Sequence, residues 1–312
     1  MIKYLKNIDH HTVEVDTPEN DIWVNVTPPL KQEEFIKLSE DLEIPLDFLS
    51  DSLDIDERSR YEEDDNVRLV VIKTPTENHS FNDSDAYYIT IPISIILTHN
   101  HIVTVNSFDN PAIKKFLNTF QNRQPEKRGM MVVKIIEKVV QNFMDHLKEI
   151  NHKRNIIEQR LYDSNKNEQL LELMKIQKSL VYFVTALRSN ELLLAKMMRT
   201  NFLRLSEEEN EFLEDLMVDN SQALEMANIY TNILSSSMDA FASIIANNQN
   251  AVLKRLTIAT IALTIPVLLA SIFGMNLRNG LENSQTAFYA VSAASLVFCI
   301  VTGYFALRKK ML

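Results

Sequence analysis

The sequence predicts an α+β domain, a mixed sheet with flanking helices, followed by long α-helices and a two-span transmembrane helical hairpin. Three observations carry this. Eight of the nine prolines fall before residue 126, among short runs rich in Val, Ile and Tyr. Between Met130 and Ile265 there is neither glycine nor proline, so the usual helix breakers are missing. Finally, Leu256 to Asn276 and Thr286 to Leu307 carry no charged residue. Each is long enough as helix to cross a hydrocarbon core of about 30 Å.

Residues 1–128 read as the α/β domain. Strands are expected at Ile22 to Val26, Arg68 to Lys73, Tyr87 to Thr98 and Ile102 to Val105, where β-branched and aromatic residues cluster. Helices are expected at Lys31 to Leu42 and Pro45 to Leu53, and His99-Asn100 is the expected turn between the last two strands. Residues 129–205 read as a helical hairpin, with helices over 130–163 and 167–200 joined by a polar connection.

A third helix starts at Ser206. Its hydroxyl can cap the helix while Glu209 completes a capping box. Nothing breaks this helix before Gly274, so 206–276 reads as one stalk helix running into a first span at about 254–275. At about 1.5 Å per residue such a helix is roughly 100 Å long. Leu213, Met217, Leu224, Ala227, Leu234, Met238, Phe241 and Ile245 alternate in steps of four and three, with Asn220 and Thr231 in the gaps. That is a coiled-coil seam, and it asks for neighbours, most simply copies of itself. Residues 277–285 form a tight extracellular loop, 286–307 the second span and 308–312 a basic cytoplasmic tail.

Lys254-Arg255 precede the first span and Arg308-Lys309-Lys310 follow the second, whereas the loop offers Arg278 offset by Glu282. The Lys/Arg bias places both termini in the cytoplasm. The start lacks the apolar core of a secretory signal, so the first 250 residues are expected to stay there, under a plasma (inner) membrane. The lone cysteine, Cys299, lies mid-span and excludes any disulfide or thiolate cluster within one chain. It reads as a small apolar filler.

The net charge of -10 is concentrated: Ser206 to Leu253 holds nine acidic residues and no Lys or Arg. Nucleic acid is disfavoured as a partner, since phosphate binding needs clustered bases. A cation is favoured. No phosphate-binding loop marks a nucleotide site, and nothing points to an enzyme.

On the first span, Thr257, Thr260, Thr264 and Ser271 fall within an arc of about 60° at about 100° per residue. They are all of its hydroxyl residues, and Asn250 lies on the same stripe. A one-sided hydroxyl stripe on an uncharged span faces either water or another helix. As a water-filled pore it would be lined by Asn250, Leu253, Thr257, Thr260, Thr264, Val267 and Ser271. Pro266 removes one backbone hydrogen bond and reads as a kink.

Ile272-Phe-Gly-Met-Asn276, closing the first of two C-terminal spans behind a long acidic helix, and Asn250-Ala-Val-Leu-Lys-Arg-Leu-Thr257 resemble the signature of the CorA metal ion transporters. The resemblance covers the whole chain in architecture. It implies a homopentamer that conducts divalent cations, most of all Mg²⁺ and also Co²⁺ or Ni²⁺. It makes Gly274, Met275 and Asn276 the entrance and selectivity ring. A neutral amide oxygen such as that of Asn276 suits Mg²⁺, which dehydrates reluctantly. The resemblance also implies a regulatory Mg²⁺ site between subunits. Ungapped spacing back from Gly-Met-Asn places one side of it at Asp215, with Asp219 one turn on. The other side falls within Glu62-Glu63-Asp64-Asp65, at Asp64 or Asp65 and most of all Asp65.

Two other readings stay open. The loop holds one acid, Glu282, and adds Arg278, a departure that admits a proton-coupled Zn²⁺ transporter of the ZntB type. A membrane-anchored coiled-coil scaffold that conducts nothing is the third. The pairs His10-His11 and His99-Asn100-His101 fall short of the three or four ligands zinc wants.

Overall fold

The structure, a computed structural model, describes the chain apart from residues 1, 9–10, 17–21, 28–29, 79–85, 107–109, 121–126, 165–166, 276–283 and 309–312. It divides into two compact units, Met1–Ser236 and Ser237–Leu312.

The first unit is built on a seven-stranded sheet. Its strands are β1 Ile2–Ile8, β2 His11–Val15, β3 Ile22–Val26, β4 Arg60–Asp64, β5 Val67–Glu77, β6 Tyr88–Leu97 and β7 His101–Asn106. The order is β2-β1-β3-β7-β6-β5-β4. Only β3 and β7 pair parallel, with Ile22 opposite His101 and Val26 opposite Val105. The other pairs are antiparallel, so the sheet is mixed as expected.

Helices α1 Gln32–Leu42 and α2 Leu46–Asp51 cover one face. Leu38, Leu42, Phe48 and Leu49 meet Ile22, Val24, Leu69, Val71, Val103 and Val105 there. Alternation turns Val70 and Ile72 of β5 to the opposite face, where they are equally buried. Helices α4 Arg128–Ser164 and α5 Asn167–Thr200 contact β5 and β6. With both faces covered, the central strands are continuous apolar runs rather than alternating ones. A further helix, α3 Pro111–Phe120, packs on α4.

Buried amides and hydroxyls fix α4 and α5 to the sheet. Fully buried Asn190 on α5 accepts the Lys73 N–H at 3.1 Å and donates to the Lys73 carbonyl at 2.9 Å. It thus supplies to β5 what a neighbouring strand would, because β4 pairs only as far as Arg60 opposite Val71. The Ser179 hydroxyl accepts the Tyr88 N–H at 3.0 Å, and Asn142 on α4 donates to the Pro75 carbonyl at 3.0 Å.

The sequence reading did not anticipate β1, β2, β4 or α3. Charged residues dominate β4, Arg-Tyr-Glu-Glu-Asp, and it lies at a sheet edge, where charge discourages further pairing. The helix expected to start at 130 begins at Arg128 and takes in Gly129. A Cβ at Gly129 would come within 2.7 Å of the Leu203 carbonyl, so glycine serves close packing there rather than a helix break.

The long helix, α6 Glu207–Phe273, opens as expected. The Ser206 N–H donates to the Glu209 carboxylate at 2.8 Å, and the Glu209 N–H donates to the Ser206 hydroxyl at 3.3 Å. The Ser206 backbone N–H above all, then the Ser206 hydroxyl and Lys127, hold the Glu209 carboxyl below its usual value. The seam needs a correction. Leu213, Leu224, Ala227 and Leu234, with the intervening Leu216, Asn220 and Ala223, are buried within a single chain. Asn220 donates to the Leu187 carbonyl of α5 at 3.1 Å. The chain's own helices, not copies of α6, therefore cover this part of the seam.

The second unit holds the rest of α6 and α7 Gln285–Arg308. Among the described residues, α6 is the one helix long and apolar enough to cross a membrane, and α7 carries the shorter apolar stretch Phe288–Tyr304.

Replacing Asn190 should be costly. Asn190→Ala leaves the Lys73 N–H and carbonyl buried and unpaired, at about 1–3 kcal/mol for each. Asn190→Asp can still accept but cannot donate. Both variants should lower the thermal unfolding midpoint of the first unit in the full-length protein. An unchanged midpoint would remove Asn190 from the support of β5.

Candidate functional site

The C-terminal part of α6 has two unlike faces. Ile258, Ala262, Ile265, Pro266 and Leu269 are partly buried within the second unit. On α7, the partly buried residues are Val291, Ser295, Phe298, Cys299, Thr302 and Gly303, spaced at helical intervals. The two helices touch where Cys299 Sγ lies 3.4 Å from the Ala262 carbonyl oxygen. Small residues at such a contact let two helices approach closely.

Every residue of the expected pore lining is exposed: Asn250, Leu253, Thr257, Thr260, Thr264, Val267 and Ser271. At about 100° per residue the hydroxyl stripe centres about 150° from the face that α7 covers. Hence the stripe does not serve packing against the chain's own second helix. Each threonine hydroxyl donates back along the helix: Thr257 to the Leu253 carbonyl at 2.9 Å, Thr260 to Leu256 at 2.8 Å and Thr264 to Thr260 at 2.7 Å. The hydroxyl protons are thus spent internally, and the lone pairs of the oxygens point outward as acceptors. A row of neutral acceptors suits a hydrated cation.

Helix α6 ends at Phe273, directly before the Gly-Met-Asn tripeptide. Gly274 continues the helical bonding, its N–H donating to the Ala270 carbonyl at 2.9 Å. Its φ lies outside the left-handed region. A Cβ at Gly274 would sit 3.2 Å from the Ala270 carbonyl oxygen, one turn back along the same helix. Met275 is exposed, and Asn276 lies outside the described residues, as does most of the loop that follows.

The four candidate regulatory acids are all exposed. Asp64 ends β4 opposite Val67, and Asp65-Asn66 form the two-residue turn between them, with φ of 43° and 69°. Two positive φ values in a two-residue hairpin turn favour Asp, Asn or Gly. Asp65 therefore has a backbone role that sequence reasoning did not see. Arg60 pairs with Glu62 and Arg204 with Glu63 at 3.0 Å. Asp64 and Asp65 form no ion pair among the described residues. Asp215 and Asp219 lie one turn apart and line a cavity of about 390 Å³ with Phe212, Leu216, Met130, Val133, Lys134 and Glu137. Among the described residues, no three His, Cys, Asp or Glu side chains gather in one chain to hold a metal ion. The structure thus does not bring Asp64 and Asp65 together with Asp215 and Asp219 within one chain.

Of the histidines, His10 lies outside the described residues and His11 opens β2. His99 and His101 flank Asn100 at the β6–β7 turn, where the Thr98 hydroxyl accepts the His101 N–H at 3.0 Å and Arg128 binds the Thr98 and His99 carbonyls.

An α/β domain joined to one long helix, whose far end is apolar, hydroxyl-striped on its uncovered face and followed in sequence by Gly-Met-Asn, defines a class of membrane proteins. The chain belongs to the CorA family: the family model described as CorA-like Mg²⁺ transporter protein matches residues 19–309. It is 26% identical over 289 residues to the cobalt/magnesium transport protein CorA of Methanocaldococcus jannaschii, covering 91% of this chain and 89% of that one. It is 20% identical over 259 residues to the cobalt/magnesium transport protein CorA of Thermotoga maritima, covering 81% and 72%. The complete structure of the Methanocaldococcus jannaschii CorA magnesium transporter superposes with a TM-score of 0.82 at 25% identity, covering 99% of this chain and 98% of that one.

The two faces of α6 give a direct expectation. With Cys299 replaced by serine, a cysteine at position 264 should react rapidly with a small charged thiol reagent. A cysteine at Leu263, about 100° around the helix, should react at least several-fold more slowly. Equal rates would mean that the hydroxyl face is not selectively wet.

Proposed function

We propose that the chain is one subunit of a homo-oligomeric channel for divalent cations, most of all Mg²⁺. Co²⁺ is the second cargo, in keeping with the names of its relatives. The observation that carries the reading is the hydroxyl face of α6, turned away from α7 and ending at Gly274-Met275-Asn276. One chain with two spans encloses no pore, so several α6 helices must converge with their stripes inward. Five copies is the number we propose.

In this arrangement α6 and α7 cross the plasma membrane as a hairpin, with both termini in the cytoplasm. The 24 residues of α7 span about 36 Å at about 1.5 Å each. Phe288 and Tyr289 near one end and Tyr304 near the other are exposed, as an interfacial aromatic belt requires. The amide of Asn276 contacts the water shell of the entering ion. Asn250, Leu253, Thr257, Thr260, Thr264, Val267 and Ser271 line its path. Neutral acceptors bind such an ion weakly enough to release it.

Cytoplasmic Mg²⁺ gates the channel in this proposal. Asp215 and Asp219 of one subunit face Asp64 or Asp65 of the next and repel them until a cation intervenes. Metal bound holds the subunits together and the pore shut, and metal loss releases them.

Two outcomes follow. Purified protein in liposomes should take up Mg²⁺ down its gradient, and Asn276→Ala should reduce this uptake by ten-fold or more in an intact oligomer. Near-normal uptake would end the entrance assignment, and Zn²⁺ uptake that requires a pH gradient would favour the proton-coupled Zn²⁺ reading. For the gate, millimolar Mg²⁺ should protect the cytoplasmic unit of the wild type from protease and inhibit its current. Asp215→Ala should weaken both effects. Equal protection and equal inhibition in the two proteins would mean that Asp215 is not the sensor.

A further inference from the structure

Pro266 lies inside α6 and has no N–H, so it leaves the carbonyl of Ala262, four residues earlier, without its helical donor. In a low-dielectric setting an unpaired carbonyl is strongly unfavourable, because no water is there to bond it. The Cys299 thiol of α7 sits 3.4 Å from that carbonyl oxygen, in the geometry of an S–H···O hydrogen bond. The chain's lone cysteine thus meets the one backbone acceptor that its only membrane-segment proline sets free. An apolar filler would explain the size of the residue at 299 but not the donor.

We propose that Cys299 is a positioning residue for conduction. Its thiol closes the hydrogen bond that Pro266 opens, and so fixes the path of α6 around the proline from the side opposite the hydroxyl stripe. Pro266 and Ala262 both lie on the face that α7 covers. A change in the helix path there displaces the stripe residues at and beyond it, Thr264, Val267 and Ser271. The thiol acts through the Ala262 carbonyl and touches no ion. This inference rests on the pore reading for its consequence, but the hydrogen bond itself does not.

The test uses the full-length protein in lipid nanodiscs and liposomes. One cysteine gives one S–H stretching band, free of overlap in the infrared. In the wild type the band should lie at lower frequency than in Pro266→Ala, where a restored backbone N–H competes for the Ala262 carbonyl. Cys299→Ser keeps a donor and should retain Mg²⁺ uptake within about two-fold. Cys299→Ala should lower uptake several-fold with the oligomer intact, and should have little further effect in a Pro266→Ala background. An S–H band at the same frequency in wild type and Pro266→Ala overturns the proposal, and so does a Cys299→Ser loss equal to that of Cys299→Ala. Because the band is read without transport, it can fail while the pore reading survives, and the Asn276→Ala result can fail while the bond stands.

Discussion

The constraint on which the membrane part depends is that a hydrocarbon environment supplies no hydrogen-bond partners. Everything polar on α6 must be answered by the protein itself or by water that the protein admits. The threonines answer their own protons by bonding back to the helix. The carbonyl freed by Pro266 finds a thiol across the helix pair. What remains unanswered is the acceptor side of the stripe, on the face α7 does not cover. On the proposed reading that residue of polarity is the conduction path, and it forces several chains to share it.

The same rule operates in the first unit, where buried side chains answer backbone groups of the sheet. Asn190, Asn142 and Ser179 project from two helices to backbone groups of β5 and β6. The directional bonds fix where α4 and α5 cross the sheet. Apolar contacts alone would tolerate sliding by a residue, because Val, Ile and Leu repeat along those strands. An amide that must both accept from and donate to Lys73 tolerates none.

Local signals were legible in the sequence wherever one residue type decides the outcome. The Ser206–Glu209 box, the β6–β7 turn at His99-Asn100 and the bounds of β3 all follow from short-range chemistry. The hydroxyl stripe was legible as a stripe, but not the direction it faces, since that depends on where α7 packs. Strands β1 and β4 were not legible, because lysines interrupt the apolar pattern of the first and acids dominate the second. Their strand character comes from the neighbours they pair with. The seam of α6 failed differently. Its spacing was right, but spacing does not say whether the partner is another copy or the same chain's α5. The contact made by Cys299 is not legible in the sequence, because its acceptor is 37 residues away and is created by a proline.

The proposed gate illustrates how small terms suffice. Asp65 already has a reason to be where it is, since a positive φ in a two-residue turn suits it. A metal role at Asp65 would therefore be added to a structural one, and it need contribute little. A pair of carboxylates at about 4 Å repels by roughly 1–4 kcal/mol at surface-like dielectrics. Neighbouring bases occupy Glu62 and Glu63 but leave Asp64 and Asp65 to act. Moving a two-state equilibrium from almost closed to almost open takes about 5.5 kcal/mol. Five interfaces contributing little more than 1 kcal/mol each reach that sum. A symmetric assembly can therefore respond steeply to a weakly bound cation, although among the described residues no single site gathers three ligands within one chain.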